Sequence, residues 1–158
     1  MTNYDKIEQI KQIIMELLAN AGIEGSVEFE DSITKGLVFN ISSPDSRLLI
    51  GRQGSHLHAL ETLVRAVAGK KMIGQEPLFF SLDVDDYKIK REWHLKEMLK
   101  SAVEEVKKTG RPLNLEPMPN YERRFVHAYL QDNYPEVTSI SSGRDPYRYI
   151  VISIKKVT

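Results

Sequence analysis

Ile7, Ile10, Ile13, Ile14, Leu17 and Leu18 return every three or four positions, the spacing that lines up apolar side chains on one helical face. A helix is therefore expected over residues 4–20, with Gly22 as its stop. The period then shortens to two. Val27 and Phe29, then Leu37, Phe39 and Ile41, alternate with other residues on either side of Lys35-Gly36, which predicts two paired strands over 26–30 and 37–41. After Pro44, residues 47–50 read as a short helix that must end at Gly51, and Leu57, Leu60, Leu63, Val64 and Val67 mark a second. Residues 78–84 are a run of β-formers. The first half thus reads α-β-β-α-α-β.

The second half opens on Asp85-Asp86, whose carboxylates suit the N-cap and first turn of a long helix that ends at Lys107, Lys108 and Gly110, before Pro112. A short extended piece at 113–115 precedes a helix over 120–132, with Phe125, Val126, Tyr129 and Leu130 on its buried side. Residues 137–142 and 147–154 flank the turn Gly143-Arg144-Asp145-Pro146, and Ile150, Ile152 and Ile154 recur at period two. This is a hairpin. The expected class is α+β with two domains, 1–84 and 85–158.

Composition narrows the chemistry. With no cysteine among 158 residues, disulfides, thiolate metal sites and cysteine nucleophiles are excluded. The first residues lack the basic and apolar regions of a leader, and no apolar run reaches the roughly 20 residues that span a bilayer. A soluble cytoplasmic protein without membrane insertion is expected. Net charge is zero, but residues 1–84 hold 8 basic against 11 acidic side chains and 85–158 hold 14 against 11. Any polyanion site must be local.

Two motifs carry candidate chemistry. Gly51-Arg52-Gln53-Gly54 joins two helices, so its glycines would let a phosphate approach the backbone at a helix N-terminus while Arg52 supplies a cation. The same four-residue spacing in Gly22-Ile23-Glu24-Gly25 carries an acidic side chain between a helix and a strand, and the bland reading of either is a plain turn. Ile50, Leu57 and Leu60 are candidates to line a groove beside the loop, although apolar residues at helical spacing are more often core. His56 and His58, two apart on a helix, point away from each other and make no metal site. In the second motif, Arg123-Arg124-Phe125-Val126-His127, positions four apart share a helical face, so Arg123 and His127 can meet one phosphate, with Arg124 beside them. The competing reading ties Arg123 and His127 into an intramolecular network, through Glu122 or Asp132, that holds helix to hairpin. Lys88, Arg91, Lys96 and Lys100 extend a basic surface or form a solvated face.

In element order and in its Gly-x-x-Gly loop, the stretch 4–84 resembles a type II KH domain. That resemblance implies a clamp at Gly51, Arg52, Gln53 and Gly54 beside a groove for about four unpaired nucleotides. The run from Gly110 through Arg123 to His127, with Ser141-Ser142-Gly143 and Arg148 beyond, resembles the R-three-H domain over 86–156, a small domain of two helices and a three-stranded sheet. The pair in this order is similar to the Jag family associated with the insertase SpoIIIJ, whose usual N-terminal Jag domain is not expected here. What this implies is a non-enzymatic, cofactor-free protein that binds single-stranded RNA, or single-stranded DNA, as a post-transcriptional regulator or RNA chaperone. A small single-KH protein is the implied partner. A protein–protein adaptor and, below it, a phosphate-ester enzyme built on Arg123, His127 and Glu122 remain the alternatives.

Overall fold

The first helix starts a residue earlier than its apolar stripe requires because Thr2 caps it. In the computed structural model, which describes residues 1–157, the Thr2 hydroxyl accepts the Asp5 N–H at 3.1 Å and the Asp5 carboxylate accepts the Thr2 N–H at 2.8 Å, so two otherwise unpaired donors are satisfied reciprocally. Helix α1 (Asn3–Asn20) ends where Gly22 takes φ 70° and lets the Gly22 and Ile23 N–H groups turn back to the Ala19 and Leu18 carbonyls.

Strands β1 (Ser26–Ser32) and β2 (Gly36–Ser42) pair antiparallel with Phe29 opposite Phe39, and β3 (Phe80–Val84) joins parallel to β2 with Leu82 opposite Phe39. The sheet order is β1-β2-β3. A parallel partner requires a long crossover, and this one carries α2 (Ser46–Ile50), a 3-10 turn at Arg52–Gly54 and α3 (Ser55–Lys71). Leu37, Phe39 and Ile41 project to one face of the sheet, where Ile10, Ile14 and Leu18 of α1 and Leu57, Val64 and Ala68 of α3 cover them. Phe39, fully buried, meets the Phe80 ring edge-on at 5.6 Å. The third strand begins at Phe80, not at 78, and Phe79 lies exposed before it.

The turn into the long helix α4 (Tyr87–Thr109) departs from the expectation placed on Asp85 and Asp86. Both adopt left-handed φ, 47° and 57°, a conformation that Asp tolerates better than bulkier residues. Asp83 also serves the start of the helix: its Oδ1 accepts the Val84 and Lys88 N–H groups at 2.8 and 3.2 Å. Burial raises the Asp83 pKa above its ordinary value against the pull of those bonds. The alternation in the sequence locates the strand but cannot tell which of three nearby carboxylates faces the helix.

Beyond α4 come β4 (Leu113–Asn114), α5 (Asn120–Asn133), β5 (Val137–Ser142) and β6 (Tyr149–Ile154), with the antiparallel order β4-β6-β5. The central strand buries Ile150 and Ile152 against Leu99, Val103 and Val106 of α4 and Val126 and Leu130 of α5. The chain divides into two compact units, Met1–Ile89 and Lys90–Thr158. This division falls inside α4, because Tyr87 packs on the first core and Lys88 pairs with Glu61 at 2.8 Å. Among the described residues no helix is long and apolar enough to cross a membrane, and no His, Cys, Asp or Glu group is arranged to hold a metal ion.

Candidate nucleic-acid interface

The α2–α3 loop is shaped by a histidine. Gly51 sits at φ 69° and ψ −176°, a region that essentially only glycine enters. A Cβ there would collide with the His56 ring. The ring is held in place by a 2.7 Å bond to the Leu48 carbonyl; a carbonyl can only accept, so Nδ1 carries the proton. Gln53 and Gly54 then take left-handed φ of 54° and 76°, and α3 starts at Ser55. Arg52, at the apex, is exposed. Ile50 is half-buried against the first core. Leu57, expected to line the groove, is only 2% exposed: it shares the inward stripe of α3 with Val64 and Ala68, so it anchors the helix out of a ligand's reach.

In the second unit, α5 and the β5–β6 hairpin enclose a cleft of about 330 Å³ lined by Asn120, Arg123, Arg124, His127, Ser141, Asp145 and Arg148. Arg123 is buried, and its Nη1 donates to the Met118 carbonyl at 2.7 Å and to Asp145 Oδ1 at 3.0 Å. The two His127 nitrogens lie 2.7 and 2.8 Å from the Ser139 and Ser141 hydroxyls. Because a hydroxyl can donate or accept, this setting suits the neutral ring and the imidazolium alike. Burial first, and repulsion from the Arg123 guanidinium second, hold the His127 pKa below its usual value. Arg123 and His127 thus share a face, as their spacing predicts, and both tie helix to hairpin. Their partners are Asp145, Ser139 and Ser141, not Glu122 or Asp132. Glu122 is instead gripped by Arg91 through bonds of 2.7 and 2.9 Å.

Two guanidiniums in this cleft are differently placed. Arg124 is exposed. The Nε of Arg148 is buried and has no hydrogen-bond partner among the described residues, an arrangement that costs free energy unless a ligand or water supplies an acceptor. Three guanidiniums against the single Asp145 carboxylate give this wall a positive excess in a chain of zero net charge. Arg148, Asn120, Ser141 and Asp145 are absent from the site read from the sequence. Ser141 and Arg148 were signalled by the run that resembles the R-three-H domain, and Asp145 by the turn that brings the start of β6 back toward α5. Of the basic residues on α4, Lys88 and Arg91 are ion-paired with the buried Glu61 and Glu122, and Lys96 with the exposed Glu92, so these three are tied up within the protein and do not form a free basic surface.

The R-three-H domain family matches residues 94–154, which include this cleft. Over 150 residues the chain is 34% identical to the RNA-binding protein KhpB of Clostridium symbiosum, an alignment that covers 95% of the chain and 65% of that relative. The corresponding protein of Lactiplantibacillus plantarum is 31% identical, over 98% of the chain and 47% of the relative. That of Bacillus subtilis is 30% identical, over 96% and 72%. The chain therefore spans about half to two thirds of the length of the first two relatives.

Proposed function

The chain belongs to the family of bacterial proteins named RNA-binding protein KhpB, and on that premise we propose that it binds single-stranded RNA without catalysing a reaction. The observation that carries this reading is the cleft between α5 and the hairpin, where an exposed Arg124 and a buried Arg148 Nε, without a partner among the described residues, offer donors to an anion. Arg124 and Arg148 meet backbone phosphate by charge-assisted hydrogen bonds, while Arg123 and His127 hold the walls together. The first unit acts as a type II KH domain, with the loop Gly51–Gly54 as the clamp and Ile50 at the groove edge. Linked on one chain, two modest sites raise each other's effective concentration.

The finer reading places the protein in the cytoplasm as a post-transcriptional regulator or RNA chaperone, paired with a small single-KH protein and linked to the SpoIIIJ insertase through its family. Single-stranded DNA is the second ligand to compare. An adaptor role is the competing reading, and one observation favours it: Ile73 and Phe79 stand exposed beside an apolar pocket lined by Ile10, Met72 and Leu78.

A fluorescence titration with matched single- and double-stranded oligonucleotides tests the proposal. Single strands should win, with a log–log salt slope of about −2 to −4 if three to six phosphates are contacted at roughly −0.7 each. Arg124→Ala and Arg148→Ala should each weaken binding by about 1 to 3 kcal/mol. The double variant R52D/Q53D should weaken it sharply through the other unit. Unchanged affinity in all of these, with melting temperatures preserved, would leave the adaptor reading in possession.

A further inference from the structure

Asp145 is out of place in a cleft that binds polyanions. It lines the cleft together with Arg123, Arg124 and Arg148, and its carboxylate would repel any phosphate drawn to them. It is also the more exposed member of its pair: its side chain is 67% exposed while that of Arg123 is 6% exposed. Oδ1 accepts from Arg123 Nη1, which is itself held by the Met118 carbonyl. Oδ2 accepts no hydrogen bond among the described residues. The turn that carries Asp145 is pinned on both sides, by Gly143 at φ 83° and by the Tyr147 N–H donating to the Arg144 carbonyl at 2.8 Å. The result is a carboxylate at the rim of the cleft, oriented by a buried arginine, with one oxygen bonded to that arginine and the other without a partner among the described residues.

A carboxylate oxygen is an acceptor only, so what it recognises must be a donor carried next to a phosphate. The nucleobase edges offer donors at a distance that varies with the base. The ribose 2′-hydroxyl offers one at every nucleotide, beside the backbone, and deoxyribose lacks it. With Oδ1 bonded to Arg123, the side-by-side grip on the paired donors of a guanine edge would compete with that bond, whereas a lone hydroxyl needs only Oδ2. We propose that Asp145 accepts the ribose 2′-hydroxyl of the nucleotide whose phosphate is held by Arg124 and Arg148, and so selects RNA over DNA at this cleft. The inference rests on the single-strand reading of the cleft.

The experiment compares the full chain and its Asp145→Asn variant on three oligonucleotides of one sequence: RNA, uracil-containing DNA, and RNA with 2′-fluoro sugars. The fluoro strand keeps the ribose-like pucker and loses the donor. The wild type should prefer RNA to both others by about tenfold, the lower end for a hydrogen bond to a charged acceptor. In the variant, which removes the charge with little change of shape, the ratio should fall close to one. Because each protein is compared with itself across sugars, any contribution from the first unit cancels in the change of ratio. An unchanged ratio overturns the assignment. Equal tightening of RNA and DNA in the variant also overturns it, and makes Asp145 an electrostatic brake on Arg123. Failure of the wild type to bind any of the three strands removes the single-strand reading itself, a result distinguishable from either.

Discussion

Individual side chains decide how the two candidate sites are to be understood. Gly51 needs no ligand to explain it, since its dihedrals and the His56 ring exclude any side chain. His127 makes a pH dependence. The folded protein holds this imidazole below its ordinary pKa of 6.5, so it binds the proton less readily than the unfolded chain does. Its contribution to stability is therefore complete above about 6.5 and declines as pH falls through the lowered folded value. Melting temperatures recorded from about pH 8 to about pH 5 should fall more for the wild type than for His127→Gln, which keeps a polar side chain but cannot titrate. Parallel curves would mean that the ring does not titrate differently in the two states.

At the level of helices and strands, periodicity found nearly every element, because burial of one face imposes 3.6 or two on the sequence and this chain carries few exceptions. The misses share a cause. Leu57 and the bond from Asp83 to the start of α4 are decided by which way a side chain points once the element is packed, and Arg148 by which turn folds back onto which helix; spacing along the chain encodes neither. The Arg91–Glu122 pair is of that kind too, joining α4 to α5 over 31 positions with Glu122 3% exposed. Breaking a buried pair from one side leaves a charge uncompensated, so Arg91→Ala should cost about 3 to 5 kcal/mol. Replacing both partners together with apolar residues should cost much less. Urea unfolding of the single and double variants reads this directly, and equal losses in both would show that packing, rather than charge, matters at this contact.

For the molecule as a whole, the opening turn of α4 belongs to the first unit and completes it. Glu61 is buried; burial pushes its pKa up, but the Lys88 ammonium, the Leu82 N–H and Arg65 outweigh this and hold it below the ordinary value. Its stabilising effect is present above about pH 4.5 and is lost as pH falls through the lowered folded value. Lys88→Ala should destabilise the first unit and move its acid unfolding toward neutral pH, measurable by circular dichroism; an unmoved acid transition would show that Leu82 and Arg65 suffice. The same arrangement sets an order during synthesis. As the chain leaves the ribosome N-terminus first, the sheet β1-β2-β3 is complete at Val84, yet Glu61, already paired with Arg65, still lacks the Lys88 ammonium and the first core still lacks Tyr87. Both arrive with the opening turn of α4, so a nascent chain paused just after β3 exposes a half-finished unit to chaperones and proteases, and a few residues more seal it.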